Sequence, residues 1–486
     1  MYFDEYSEFI HAFYSAYYSS YDEKIKNKIL DDVYNEYLES DFFDSQIDNL
    51  FLELKNQNFE AQIDYDFLEK YNGRIFSIQE LLVKKVKIHY LVASQYVQKI
   101  LTLKNNKCLQ CGNKKDFFSY QNSFSQVTYC KKCLHLGISD NINFKFIINY
   151  PNKIDYSGLN FPNISLSSEQ DKASKKLLEN IKVGKNSLVW AVCGAGKTEI
   201  IYETLFYSLK LGKKVCIAIP RKDIVKELAL RIKKDFALDI NILHGDEKIL
   251  LSSSIYIMTT HQLTKYYKFF DLVIVDEVDA FPYNSDSILE YGLEKSLIDK
   301  ANIIFLSATP SKKIKNFVDD IFKIPIRYHK HLLPLPKISC EKDRLENFIA
   351  EIKSTSRRAL IFVADIKTGK ELAKKLNFPF VSSKEEKRNE ILENFYNKKF
   401  NILITTTILE RGVTFDYLDV LVFDASHIHF TKEALIQIAG RVGRKDYDTS
   451  GQIIFFADKK TKNMTSAIKE IKYMNALAKY RKLNIR

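Results

Sequence analysis

Short apolar runs, each ending on a polar cluster, recur along residues 187–424. SLVWAV, FDLVIV, NIIFL, ALIFVA and VLVFDA are apolar on both alternating faces, as strands buried in a parallel sheet must be. Segments with helical spacing separate them, which is the rhythm of βα units. The runs fall into two series, about 151–325 and about 330–460, so an α/β fold with two parallel-sheet lobes is predicted. The first hundred residues read differently. They are dense in Tyr and Phe, poor in Gly and Pro, and mainly helical in pattern. Ser77–Leu101 is predicted as one helix, with Ser77 as cap and Glu80 as its capping-box partner. Tyr14, Tyr17, Tyr18 and Tyr21 either fill a core or offer a base-stacking surface.

The polar exits of these runs carry candidate chemistry. SLVWAV leads into AVCGAGKT, Ala191–Thr198, and then a helical pattern near Lys197. In this strand–loop–helix context, backbone N–H groups and a helix N-terminus can face nucleotide phosphates. Gly194, Ala195 and Gly196 keep the backbone close, Lys197 supplies charge, and the Thr198 hydroxyl can reach Mg²⁺. FDLVIV delivers Asp276 and Glu277 of DEVD to the sheet's carboxyl edge. There Asp276 can hold the Mg²⁺ shell and Glu277 can orient or deprotonate water. NIIFL ends at Ser307-Ala308-Thr309. In the second series, QIAGRVGR places Arg441 and Arg444 three apart, on one face of a predicted helix. From there they can reach a γ-phosphate as fingers. This order of signatures describes an NTPase whose site is closed by a second lobe.

Composition narrows the setting. The chain has 486 residues, room for about three domains at ~150 residues each. No run approaches the ~18 apolar residues of a membrane span, and the acidic start MYFDEYSEFI lacks the basic region of a signal peptide. A cytoplasmic location is expected. Net charge is +12, yet residues 1–60 carry 14 acidic against 4 basic residues. The rest therefore favours a polyanionic partner. Cys108, Cys111, Cys130 and Cys133 spell C-x2-C-x18-C-x2-C, a spacing that aims four thiolates at one tetrahedral, structural Zn²⁺. Cys193, Cys216 and Cys340 are expected to be small buried residues. The stretch Asp458–Arg486 has nine basic and two acidic residues and reads as a basic helix with a solvated or DNA-facing side.

From about Leu159 to Lys460 the motifs resemble those of superfamily-two helicases. LSSEQ at 166–170 resembles the upstream glutamine motif, which implies that Gln170 reads adenine. IPRKDIV from Ile219 and the Thr259-Thr260-His261 triplet resemble DNA-backbone motifs, implicating Pro220, Arg221 and Thr260. SAT at 307–309 resembles the coupling motif, which with Asp279 implies coupling roles for Ser307 and Thr309. TTTILERGVTF resembles the fifth motif and implies strand contacts from Thr405, Thr406 and Thr407, nucleotide binding by Gly412 and coupling by Arg411. QIAGRVGR resembles the sixth, adding Gln437. The four-Cys module upstream of the phosphate loop, DEVD, and HLLPLP between the lobes together resemble the ComFA family. That resemblance implies two RecA-like lobes, ATP with Mg²⁺, and a motor that drives import of single-stranded DNA during competence. It also implies a membrane DNA-channel protein and other late-competence proteins as partners, and a place at the inner face of the cell membrane; a homo-oligomer stays open, since the sequence does not reveal the oligomeric state. The expected layout is a helical region 1–102, a zinc module 103–140, lobes at 151–328 and 329–460, and a basic helix 461–486. Two other readings stay open: a PriA-like replication-restart helicase, and an ATP-gated assembly platform that does not translocate.

Overall fold

The structure is a computed structural model that describes residues 63–486. Excepted are 85, 87–90, 92–93, 122–125, 142–143, 152–153, 246, 250–252, 280–285, 411–413, 484 and 486. The tyrosines at 14–21, Arg411 and Gly412 lie outside the described residues.

The N-terminal part opens with a short helix α1 (Tyr65–Lys70), strand β1 (Ile75–Phe76) and helix α2 (Ile78–Val83). The expected cap is present: the Ser77 N–H donates to Glu80 Oε2 at 3.0 Å and the Glu80 N–H to Ser77 Oγ at 3.2 Å. The single helix expected over 77–101 is not. Its C-terminal end is strand β2 (Val97–Leu101), paired antiparallel with β7 (Phe144–Ile148), which also pairs with β1. VQKIL satisfies either periodicity, and pairing with the buried Phe146, Ile147 and Ile148 decides for strand. Between β2 and β7 lie two hairpins, β3–β4 (Leu103–Lys104, Lys107–Cys108) and β5–β6 (Phe117–Gln121, Gln126–Cys130).

Next come helix α3 (Ser168–Lys182) and strand β8 (Ser187–Ala191), then α4 (Lys197–Ile200) and β9 (Val215–Ile219). They are followed by α5 (Lys222–Phe236), β10 (Asn241–His244), β11 (Glu247–Ile249) and β12 (Ile255–Thr259). The series closes with β13 (Phe270–Asp276), β14 (Leu297–Ser307) and β15 (Asp320–Ile324). The strand order is β11-β10-β12-β9-β13-β14-β8-β15, with β11 antiparallel at one edge. The second series gives β16 (Lys337–Ser339), β17 (Arg358–Phe362), β18 (Phe380–Val381), β19 (Ile402–Thr405), β20 (Leu418–Val422) and β21 (Ile453–Phe456). These form a six-stranded sheet in the order β16-β21-β20-β17-β19-β18, every pair parallel. Leu345, Phe348, Ile352, Ile361, Ile404 and Leu421 fill the core on one of its faces. Helix α6 (Lys432–Ala439) precedes β21, and α7 (Lys462–Tyr480) follows it. Both sheets are those of RecA-like lobes, and the apolar runs read from the sequence are their central strands.

Contact density groups the chain into two compact units. One comprises 1–160, 208–274 and 281–302; the other comprises 161–207, 275–280 and 303–486. The second unit contains the phosphate loop, DEVD, SAT and the sixth motif.

Candidate nucleotide site and metal centre

Strand β8 is buried at every position and ends on the phosphate loop. Gly194 (φ +82°) and Gly196 (φ +73°) both adopt the left-handed backbone that side-chain-bearing residues avoid. A Cβ at Gly196 would also come within 2.4 Å of Gln170 Nε2. Gln170 is held from both ends. Its Oε1 accepts the Ser167 N–H at 2.8 Å, closing the capping box of α3, and its Nε2 donates to the Ala195 and Gly196 carbonyls at 3.0 and 3.1 Å. In this arrangement Gln170 positions the loop, and reading a base would require exchanging those bonds.

Lys197 opens α4 with its Nζ 3.6 Å from Asp276 Oδ1 at the end of β13. Burial opposes the Lys197 charge, but Asp276, Glu277 and Asp279 outweigh it and raise its pKa. Burial also raises the Asp276 carboxyl, against the pull of Lys197. Three carboxylates converging on one lysine in a low-dielectric pocket favour further positive charge. The donor set therefore suits Mg²⁺, which Thr198 and Asp276 would hold. Glu277 takes a positive φ of 54°, and its N–H donates to Asp276 Oδ1 at 2.8 Å.

Asp279 is the hub of a buried network. It accepts Ser307 Oγ at 2.6 Å, Thr309 Oγ1 at 2.7 Å and Gln437 Nε2 at 3.2 Å. The Cys193 thiol donates to Gln437 Oε1 at 3.1 Å. One chain of hydrogen bonds thus joins the phosphate loop, DEVD, SAT and the sixth motif. Cys193 is buried as expected, but its thiol belongs to this network. Cys340 is exposed, contrary to expectation, because it directly follows the short strand β16 at its sheet's edge.

Arg441 and Arg444 do not share a helix face. Helix α6 ends at Ala439, and Gly443 (φ +67°) turns the chain between them. Arg441 donates through Nε and Nη2 to the Glu410 carbonyl at 2.8 and 2.7 Å, and Arg444 Nη1 donates to Thr414 Oγ1 at 3.0 Å. Both guanidinium groups brace the fifth motif, one at its middle and one near its end.

Sequence reasoning missed Arg327. It is fully buried, donates to the Gly443 carbonyl and lies beside Gly194; burial brings its pKa down to about 10. A lone Arg in IPIRYHK gives no signal of this.

Among the proposed strand contacts, Arg221 immediately precedes α5 and is half-buried, as are Thr406 and Thr407. Pro220, Thr260 and Thr405 are enclosed. Their side chains are closed to a strand here, so any contact at those three positions would fall to the backbone.

The four cysteines form a second centre. Their Sγ atoms all lie within 4.8 Å of one another, with Cys108–Cys133 and Cys111–Cys130 at 3.6 Å. Zn–S bonds of about 2.3 Å in a tetrahedron separate sulfurs by about 3.8 Å, so the thiols fit zinc. The turn at Cys108–Gly112 is closed by Gly112 N–H to Cys108 O at 2.8 Å, with Gly112 at φ +73°. Asn113 Nδ2 donates to Cys130 Sγ at 3.3 Å, an outer bond that steadies a thiolate ligand.

A phosphate loop, a carboxylate pair and a bridging network on two RecA-like lobes define an ATP-hydrolysing, helicase-like enzyme. A family model described as "Type III restriction enzyme, res subunit" matches residues 163–312, and "Helicase conserved C-terminal domain" matches 341–446. "Competence protein ComFA N-terminal domain" matches 60–145. Competence protein ComFA of Bacillus subtilis is 34% identical over 465 residues, 87% of this chain and 97% of that protein. ComFA of Streptococcus pneumoniae is 40% identical over 333 residues, 64% of this chain and 77% of that protein. The chain belongs to the ComFA family. A structure of Mycobacterium smegmatis helicase Lhr bound to ssDNA and AMP-PNP aligns at 18% identity, TM-score 0.46, over 64% of this chain and 50% of that one. Among the described residues no helix is long and apolar enough to cross a membrane.

Proposed function

We propose that this protein is an ATP-driven motor that moves single-stranded DNA inward during competence. The observation that carries the motor reading is the Asp279-centred network, which ties the phosphate loop to the second lobe through Gln437. Such a link makes the state of the nucleotide felt at both lobes. The competence setting is supported by the family.

In the proposed cycle, Gly194, Gly196 and Lys197 cradle the phosphates while Thr198 and Asp276 hold Mg²⁺, which would neutralise phosphate charge. Glu277 aligns the attacking water and takes its proton. Arg441 and Arg444 exchange their Glu410 and Thr414 bonds for the γ-phosphate as charge develops. Because those bonds anchor the fifth motif, their exchange would release Thr406 and Thr407 to shift their grip on the strand, with Arg221 as a separate proposed strand contact. The proposed layout is the zinc module at 103–140, lobes at 151–328 and 329–460, and a basic helix at 461–486. A channel protein at the inner membrane face and other late-competence proteins are the proposed partners, with a cytoplasmic, membrane-peripheral location.

The test is ATP turnover with and without single-stranded DNA, duplex DNA and RNA, paired with DNA uptake in cells carrying Lys197→Ala. Stimulation by single strands, with DNA bound at the surface but not internalised, is the expected result. Normal uptake combined with failed replication restart would overturn the competence reading.

A further inference from the structure

The β5–β6 hairpin of the cysteine module turns one face to the metal centre and the other to solvent. Strand alternation puts Phe117 and Cys130 inward, where Phe117 packs on the cysteine cluster. The opposite face carries Phe118 and Tyr120 from β5 and Tyr129 and Val127 from β6, of which Val127, across from Tyr120, is buried. Phe118 and Tyr120 are 48% and 43% exposed, a large apolar outlay for a strand face that could have been polar. The rings form a short row: Phe118 and Tyr129 have centroids 5.5 Å apart and tilted planes, and Tyr120 and Tyr129 are 6.4 Å apart. The surrounding charge is mainly positive, although Asp116 pairs with Lys131 at 3.4 Å. Residues 103–133 contain six lysines and one aspartate, and Lys114, Lys115, Lys131 and Lys132 are all exposed.

Exposed rings at strand spacing, bordered by lysines, offer what an unpaired nucleic acid requires: flat surfaces for bases and cations for phosphates. A duplex hides its base faces, so the rings select single strands. We infer that this hairpin is a single-stranded DNA contact outside the helicase lobes, with bases stacking on Phe118 and Tyr120 and the backbone running past Lys114 and Lys115. The inference rests on the reading of the chain as a single-stranded DNA motor. It gives the metal centre a purpose, which is to hold the hairpin rigid so that the rings stay presented.

The test uses the full chain and a fluorescent oligo(dT). Phe118→Leu with Tyr120→Leu keeps apolar bulk but removes both rings. Affinity should fall about 5- to 150-fold for each stack lost, while zinc content and DNA-free ATP turnover hold. Phe118→Tyr with Tyr120→Phe should bind as the unaltered chain does. Lys114→Gln with Lys115→Gln should flatten the salt dependence. If the ring-less variant loses zinc, photo-crosslinking of 5-iododeoxyuridine oligonucleotide to the unaltered chain decides: adducts on Phe118 or Tyr120 support the site, and adducts confined to the lobes overturn it. Ring-less variants that bind normally also overturn it, the outcome expected if acidic residues 1–60 cover this face instead. A chain that neither binds single strands nor responds to them would sink the motor reading itself.

Discussion

Glu277 differs from Asp276 and Lys197 in what its loss should leave behind. Lys197 and Asp276 form a charge pair at 3.6 Å within the phosphate site, so Lys197→Ala should remove nucleotide binding and hydrolysis together. Glu277 stands outside that ion pair, its proposed part being with the attacking water rather than with the phosphates. Glu277→Gln should therefore retain ATP in an equilibrium binding assay while turnover falls ~10²- to 10⁴-fold, the usual contribution of a general base. His329 offers a different measurement. Burial, then the adjacent Arg327, lowers its pKa from 6.5 to about 4. Between those values the unfolded chain binds the extra proton and the folded one does not, so stability rises with pH across that window. Denaturant midpoints should drop as pH falls from 6.5 toward 4, and less steeply in His329→Gln.

At the level of elements, loops rather than strands depend on side-chain bonding. Asp279→Ala would leave two hydroxyls and an amide in a buried pocket without their acceptor, at about 1–3 kcal/mol for each unsatisfied group. Because those donors come from SAT and the sixth motif, the expected loss is in coupling. DNA should raise ATP turnover far less in Asp279→Ala than in the unaltered chain, with nucleotide affinity changed little. The cysteine module is the other dependent element. Its strands are two to five residues long and its core is the cysteines themselves with Leu103 and Ile288. Cys108→Ser should lose zinc by elemental analysis and expose the module to proteolysis, because so small a core does not hold without metal. Basal ATP turnover should survive, since the phosphate loop lies in the other compact unit.

For the whole molecule, charge decides how DNA is held. Net charge is +12 overall despite an acidic N-terminal stretch, so phosphate neutralisation should dominate affinity. Binding of single strands should weaken linearly in log–log against salt, with a slope of about −0.7 per phosphate contacted. It should change little between oligonucleotides of mixed sequence, because backbone contacts carry no base information. A strong base preference at fixed salt would contradict this mode of binding.

Periodicity and strand-end motifs alone determined the two parallel lobes, the phosphate loop, the carboxylate pair and the four-thiol cluster. Those features are local: an apolar strand buried on both faces, a glycine at left-handed φ, or two CxxC turns is specified within a few residues. What tertiary structure decided is pairing over distance. VQKIL at 97–101 is a strand only because β7 lies beside it. Gln170 is committed to the phosphate loop, and Arg327 to Gly443, by segments far away in sequence. Arg441 and Arg444 share no helix face because α6 ends at Ala439 and Gly443 turns the chain, and they bond to Glu410 and Thr414. A side chain's hydrogen-bond partner depends on which elements pack together, and no local pattern encodes that.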